Sequence, residues 1–259
     1  MSAVVVVGGG IVGAAVASAC ARRGARVHLC ERGPLAGGAS SLELALLPTG
    51  IDATRYLELH HFTGGSFLLD RSPDDWPARR IGARAAAAAV AAEARSHGAE
   101  IRTGCDVKGL LFRSGAVRGV LTDAGEIGTS RVVLAAGVDS WRLLAPHGIE
   151  TVRALDSSEI VVARPPEEPL GSPLLDPDCW LAADEAGFLH VARPERAASL
   201  LSLAAEVGEL ARHRIDAALG VAGPVPELDG VYLAVSPDPW GIARAPEVAS
   251  AVAEWLTDG

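Results

Sequence analysis

Short runs of mainly apolar residues occur at the beginning, in the middle and near the end of the chain, as in strands buried on both faces of a parallel sheet. These runs are Ala3–Val7, Ser130–Ala135 and Val231–Val235. After the first run, Ile11–Arg23 predicts a helix with small residues facing inward, and Gly24 predicts its end at the C′ position. Arg26–Glu31 predicts the next strand. The chain therefore begins with a predicted β-α-β unit.

Between these runs, apolar and polar residues alternate and are interrupted by glycine and serine, which is typical of antiparallel strands. The predicted strands are Glu100–Thr103, Asp106–Arg113 and Ala116–Thr122, followed by strand-like segments at Ile160–Ala163, Trp180–Ala182 and Phe188–Val191. The stretch Arg32–Ile81 is predicted to be irregular, with one strand at Ser66–Asp70. Helices are predicted at Ala83–His97 (ended by Gly98), from near Gly137 to Leu144, and at Pro194–Arg214 and Ala245–Leu256.

Charge and composition exclude several classes of protein. The 259 residues include 23 Lys and Arg against 32 Asp and Glu, a net charge of −9, which argues against a general nucleic-acid binder. No apolar run is long enough to cross a bilayer, and no basic segment precedes the first strand, so a cytoplasmic protein without a signal peptide is expected. We expect the cysteines to be reduced and structural. We expect no metal site, because neither the cysteines nor the histidines have the spacing of metal ligands. The cysteines are Cys20, Cys30, Cys105 and Cys179.

The hexapeptide Gly-Gly-Gly-Ile-Val-Gly, which begins at Gly8, matches G-x-G-x-x-G between a predicted strand and a predicted helix. Gly8 permits a tight turn, Gly10 lets the backbone approach a pyrophosphate, and Gly13 lets the helix pack close to the strand. The helix N-terminus then offers free N–H groups and a partial positive charge to a diphosphate. Glu31 ends the second strand 18 residues after Gly13, where a carboxylate binds a ribose diol and disfavours NADP. The alternative is an ordinary glycine turn with a surface glutamate.

Four further segments follow in order along nearly the whole chain. They are Glu31-Arg32-Gly33 with Gly38-Ala39-Ser40-Ser41, Gly98–Ile101 with Val107, Val132–Trp141, and Tyr232–Ala234 with Gly241-Ile242 and Ala245-Pro246. Through these segments the chain resembles the D-amino-acid oxidase, glycine oxidase and sarcosine oxidase family of FAD enzymes. The β-α-β unit by itself does not choose between FAD and NAD, and the resemblance implies FAD.

The resemblance implies a cofactor site made largely of backbone groups. Ser40 and Ser41 would lie near the diphosphate or the flavin, and Val107 would give backbone contacts to adenine. The residues themselves agree at two places: Ala-Ala-Gly after a buried strand allows close approach of a ligand, and the N-terminus of the final helix favours electron density on a flavin. The complete set of predicted cofactor-binding residues is Gly8, Gly10, Ile11, Val12, Gly13, Glu31, Arg32, Ala39, Ser40, Ser41, Val107, Ala136, Gly137, Trp141, Gly241 and Ile242.

The predicted fold class is α/β, with a Rossmann-type FAD-binding domain interleaved with a reduced, mainly antiparallel β substrate domain. The predicted FAD domain comprises residues 1–41, 82–150 and 225–259, and the predicted substrate or cap domain comprises residues 42–81 and 151–224. The chain is shorter than typical members of the family, and the deficit falls between Ser41 and Ile81. Two family segments also differ, since Arg212–Asp216 lacks the expected prolines and Pro237–Trp240 replaces Gly-His. These departures concern the substrate site more than the FAD site.

A substrate carboxylate normally requires an arginine in a closed pocket. The candidates are Arg193 and Arg214, with Trp180 and Trp240 as possible walls of the pocket. The alternative is that the arginines lie on the surface and the tryptophans in the core or an interface. No catalytic residue is predicted, because the flavin itself takes the hydride while the protein binds and orients the substrate.

Three functions remain open at this point. The first is an FAD-dependent oxidase or dehydrogenase that removes hydride from a C–H beside the nitrogen of an amine or amino acid. The second is an FAD-binding subunit of a heteromeric dehydrogenase, with a partner subunit over residues 42–80. The third is a degenerate flavoprotein that acts as a binding partner. Another flavin reaction, such as hydroxylation, is a further alternative.

Overall fold

The computed structural model describes most of the first half of the chain and selected strands and a helix of the second half. The described residues are 3–41, 45–48, 59, 78–149, 156–163, 174–176, 179–183, 189–192, 209–217, 221–235 and 241–257. In these ranges, no helix combines the length and the apolar character needed to span a bilayer. The predicted strand at Ser66–Asp70 lies outside the described residues.

The centre of the fold is a six-stranded, mainly parallel sheet in the order β15-β16-β9-β1-β2-β5. Its strands are β1 (Ala3–Val7), β2 (Arg26–Glu31), β5 (Glu100–Thr103), β9 (Val132–Leu134), β15 (Val221–Pro224) and β16 (Val231–Val235). The β15 strand pairs antiparallel with β16, whereas the other neighbours are parallel. The valines of β1 are buried because both faces of this sheet are covered.

Three helices form one core with the sheet. They are α1 (Ile11–Arg22), α2 (Ala83–Ser96) and α4 (Gly241–Thr257), and α1 packs against both of the others. The many alanines of α1 and α2 allow this close packing, and the buried Ser18 hydroxyl donates to the Glu93 carboxylate across the α1–α2 contact. Gly24, with a φ of +82°, ends α1 as predicted.

A three-stranded antiparallel sheet and a short helix belong to the second core, which includes Val5 and Leu134 of the central sheet. These elements are β6 (Val107–Arg113), β7 (Ala116–Thr122), β8 (Gly125–Gly128) and α3 (Ser140–Leu144). Buried Leu110, Val117 and Leu143 join this core. The central sheet is therefore the middle layer of three.

A separate five-stranded antiparallel sheet has the order β11-β12-β13-β10-β14. Its strands are β10 (Asp156–Ala163), β11 (Leu174–Asp176), β12 (Cys179–Ala183), β13 (Leu189–Ala192) and β14 (Glu209–Ala217). A two-stranded sheet pairs β3 (Ala45–Pro48) with β4 (Ala78–Ile81) in antiparallel orientation. The predicted fold class, α/β with a parallel sheet beside antiparallel β structure, is confirmed.

Three predictions of secondary structure were wrong. Glu100–Thr103 is not an antiparallel strand: it pairs in parallel with β2 at the edge of the central sheet, where its largely exposed residues do not need a continuous apolar run. The last part of the predicted helix Pro194–Arg214 is instead strand β14, because pairing with β10 overrides local helix propensity. The stretch predicted as irregular before α2 contains β3 and β4.

Candidate functional site

The glycine turn between β1 and α1 has a geometry that only glycine satisfies at two of its positions. Gly8 has a φ of +110°, and a Cβ atom there would lie 2.5 Å from the carbonyl oxygen of Ala135. A Cβ atom on Gly13 would lie 1.9 Å from the carbonyl oxygen of Gly8. The turn, the first helix and the end of β9 therefore meet backbone to backbone, as the sequence pattern predicts.

The carboxylate of Glu31 lies at this turn. Its Oε2 atom accepts a 2.6 Å hydrogen bond from the amide of Gly9, and its Oε1 atom accepts a 2.8 Å hydrogen bond from the amide of Gly33. Such charge-assisted bonds to backbone amides fix the direction of the side chain. The half-buried acid is thus held beside the turn, where the sequence places a ribose-binding group.

The N-terminus of α1 opens onto space that a ligand can enter. Within the described ranges, a Cβ atom on Gly10 would meet only the Ser40 Oγ atom, at 3.2 Å. That hydroxyl accepts a 2.9 Å hydrogen bond from the amide of Ile11. Among the described residues, the amides of Gly10, Val12 and Gly13 have no acceptor. Unpaired amides at a helix N-terminus next to a glycine are the donor set that a diphosphate requires.

The loop after β9 approaches the same turn from the other side. Ala135 contacts Gly8, and the amide of Ala136 donates a 3.2 Å hydrogen bond to the Oγ atom of Ser140, a residue that is fully buried. Gly137 has a φ of +56°, and no atom of the part of the chain that the structure describes lies within 4 Å of the position of a Cβ there. The predicted Ala136–Gly137 approach to the cofactor is therefore held in shape by Ser140 and has open space beside it.

Two ion pairs connect α3 and the turn before it to the strands that carry the predicted adenosine contacts. Arg32 Nη2 lies 2.5 Å from Asp139 Oδ2, and Arg142 Nη2 lies 3.2 Å from Asp106 Oδ1. The Lys108 ammonium, with a smaller contribution from Arg142, holds the pKa of the Asp106 carboxyl below its ordinary value. Sequence reasoning missed Asp139, Asp106 and Arg142, because no local pattern pairs residues so far apart.

The other predicted cofactor residues lie around these elements, and their contacts with FAD stay predictions. Val107 is buried at the start of β6. Gly241 and Ile242 begin α4, and Ile242 is buried in the first core. The indole nitrogen of Trp141 is enclosed, with no acceptor among the described residues. The partly buried Trp141 side chain packs against the second core.

Two of the four substrate-pocket candidates lie on the five-stranded sheet. The backbone register places Trp180 of β12 beside Ala192 of β13, and Ala192 beside Ile160 of β10. Arg214 of β14 pairs with Glu159, the residue before Ile160. The candidates Arg193 and Trp240 lie outside the described residues.

The glycine turn, the acid at the end of β2 and the unpaired amides of α1 define a dinucleotide-binding protein of the Rossmann type. A family model described as DAO, FAD dependent oxidoreductase, matches residues 3–81 and 74–217. The chain belongs to this family of FAD-dependent oxidoreductases, and its cofactor is FAD. No curated protein sequence matches the chain significantly.

Solved structures of amino-acid enzymes share the fold. Glycine oxidase from Bacillus cereus ATCC 14579 is 18% identical with a TM-score of 0.75, and the match covers 100% of this chain and 95% of that one. L-Proline dehydrogenase from P. horikoshii is 18% identical with a TM-score of 0.73, covering 100% and 94%. L-Amino acid deaminase from Proteus vulgaris, with its specific insertion sequence deleted, is 21% identical with a TM-score of 0.67, covering 100% and 90%. At these identities, the likeness establishes the fold alone.

Proposed function

We propose that this FAD-dependent oxidoreductase oxidises a C–N bond of an amino acid or amine by transfer of hydride to the flavin. The observation that carries the proposal is that one chain combines two features. The first is a glycine turn whose Gly9 amide is hydrogen-bonded by Glu31, and the second is a separate antiparallel sheet. The named structural neighbours, a glycine oxidase, an L-proline dehydrogenase and an L-amino acid deaminase, support this substrate class.

The chain's own groups fit the adenosine diphosphate half of FAD. The unpaired amides of Gly10, Val12 and Gly13 would bind the diphosphate, and Glu31 would accept hydrogen bonds from the ribose. The loop at Ala136 and Gly137 would run beside the cofactor. When bound, FAD supplies the hydride acceptor, so the protein's own task is to hold the substrate in line and exclude water.

The five-stranded sheet offers the positions for holding the substrate. Arg193 follows Ala192 of β13 in the sequence, and Arg214 lies on β14; β10 separates these two strands, which are therefore about 10 Å apart at the usual strand spacing. One arginine would pair with the substrate carboxylate in a bidentate manner. Trp180 and Trp240 would provide apolar walls for the carbon skeleton.

The proposal is tested by anaerobic titration of the purified, FAD-loaded protein with a panel of amino acids and secondary amines. We expect at least one of them to bleach the flavin absorbance, and air or an artificial electron acceptor to restore it. Flavin absorbance that no amine bleaches would contradict this reaction and favour a degenerate flavoprotein. Bleaching that only an added electron-accepting protein reverses would favour a subunit of a heteromeric dehydrogenase.

The arginine candidates give a second test. We expect Arg193→Ala or Arg214→Ala to raise KM for the best amino acid about tenfold or more, because a lost charge-assisted bond weakens binding by about 1.5–3 kcal/mol. A primary amine without a carboxylate should be affected much less. Arg113→Ala, at the exposed end of β6, is the matched control. Unchanged KM and turnover in both variants would remove these residues from the substrate site.

The remaining expectations stay proposals. The division into an FAD domain of residues 1–41, 82–150 and 225–259 and a substrate domain of residues 42–81 and 151–224 is one of them. A cytoplasmic location is another. A partner subunit over residues 42–80 is a third, and most of that segment lies outside the described residues.

A further inference from the structure

The short helical turn Ala39–Ser41 is held in place from two sides. The Oγ atom of Ser40 accepts the amide of Ile11 at 2.9 Å, which attaches the turn to the N-terminus of α1. The guanidinium of Arg84 donates through Nη2 to the carbonyl oxygen of Ser41 at 3.0 Å, which attaches the same turn to α2. The amide of Ser41 also closes the turn onto the carbonyl oxygen of Gly38 at 2.8 Å.

The place of Arg84 in its own helix is electrostatically unfavourable. It is the second residue of α2, and no acidic residue occurs in that first turn. The N-terminus of a helix carries a partial positive charge, so a cation there is repelled and an acid is preferred. The helix dipole therefore gives no preference for an arginine at this position, and the bond to the Ser41 carbonyl is one contact that offsets the cost.

The Ser40 turn lies beside the predicted position of the diphosphate. Gly10, Val12 and Gly13 direct unpaired amides toward the diphosphate position, and Ser40 lies beside Gly10. Helix α2 packs against the same turn, and Arg84, its second residue, bonds to Ser41. The N-terminus of α1 and one guanidinium thus contact a single short turn, and their positive potential favours an anion beside it.

We infer that Arg84 is a positioning residue for the diphosphate of FAD, acting through the Ala39–Ser41 turn. Its bond to the Ser41 carbonyl fixes the turn, and the turn places the Ser40 hydroxyl at the mouth of α1. The inference rests on the proposed site for the diphosphate at the N-terminus of α1. If Arg84 had a purely structural role, its loss would not distinguish ligands with a diphosphate from those without one. We expect instead that loss of Arg84 weakens the binding of ligands that carry a diphosphate and spares those that lack one.

The experiment compares how FAD, ADP and adenosine bind to the full-length protein. The Kd of FAD is measured by titrating the apoprotein and following flavin fluorescence. The Kd values of ADP and adenosine are measured by their displacement of bound FAD. We expect Arg84→Met to raise the Kd of FAD and ADP about tenfold, as for loss of one charge-assisted contact, with adenosine changed less than about twofold. Arg84→Lys should restore most of the affinity. Arg95→Met, an exposed arginine in the last turn of the same helix, is the matched control and should bind all three like wild type.

The double variant Arg84→Met/Ser40→Ala tests whether the two residues act through one turn. We expect its loss of ADP affinity to be smaller than the product of the single losses, since coupled residues are not additive. Equal losses of ADP and adenosine in Arg84→Met, or no loss of either, would overturn the inference. If Arg84→Met does not fold, Arg84→Gln is compared in the same way. A wild-type protein that binds neither FAD nor ADP would instead refute the proposed site itself.

Discussion

Gly13→Ala should abolish FAD binding under conditions in which the wild-type protein binds it fully. The added Cβ atom would lie 1.9 Å from the carbonyl oxygen of Gly8, and both partners are backbone atoms that no side-chain rotation relieves. The first turn of α1 must therefore move away from β1, which displaces the amides that we propose to bind the diphosphate. We expect a destabilisation of about 3 kcal/mol or more and at least about a hundredfold weaker FAD binding.

Gly38→Ala is the matched control for this substitution. Gly38 belongs to the same region of the site, yet a Cβ atom there would meet no described residue within 4 Å, and its φ is not positive. We expect its free energy of unfolding and its FAD affinity to stay within about 0.5 kcal/mol of wild type. Urea unfolding and FAD titration measure both variants. A Gly13→Ala protein as stable and as well loaded as Gly38→Ala would contradict the close contact between helix and strand.

Glu31→Gln should weaken FAD binding with little change in shape. The two carboxylate oxygens accept the amides of Gly9 and Gly33 at 2.6 and 2.8 Å. Glutamine provides one oxygen and one NH2 group, so one of these amides faces another donor, and the charge available to the ribose is lost. Hydrogen bonds to a charged group contribute about 1.5–3 kcal/mol, which corresponds to a rise in Kd of about 10–150-fold.

The pattern among ligands distinguishes Glu31 from Arg84. Because the ribose is common to FAD, ADP and adenosine, Glu31→Gln should weaken all three by a similar factor, whereas Arg84→Met should spare adenosine. Glu126→Gln, on the exposed β8 strand, removes a charge from the same protein and should leave all three affinities unchanged. Wild-type affinity of Glu31→Gln for adenosine would show that the acid shapes the turn without contacting the ribose.

The beginning of the fold was predictable because its signals are local. The strands Ala3–Val7 and Arg26–Glu31 have the predicted bounds, and α1 ends one residue before the predicted Arg23. Val-rich runs, a glycine turn and a C′ glycine each determine the local structure of a few neighbouring residues. The whole pattern can therefore be recognised from residues that are close together in the sequence. The contact of Glu31 with the turn, where it bonds Gly9, agrees with the same motif.

The errors occur where distant pairing outweighs local preference. The polar strand Glu100–Thr103 is parallel because β2 offers it an edge, and its sequence contains no sign of that partner. Glu209–Ala217 is a strand because β10 provides hydrogen bonds along its length, although its composition favours a helix. In both cases the free energy of strand pairing depends on both segments, so the sequence of one segment alone does not reveal it.

The sequence by itself determined the β-α-β unit, the glycines that its close packing requires, and the acid that ends its second strand. Tertiary structure alone decided which side chains support them: the pair of Arg32 with Asp139, the pair of Arg142 with Asp106, and the bond of Arg84 to the Ser40 turn. The physical reason is the range of each interaction. Backbone conformation and helix capping depend on neighbours in the chain, whereas these hydrogen bonds and ion pairs need the folded chain to bring their partners together.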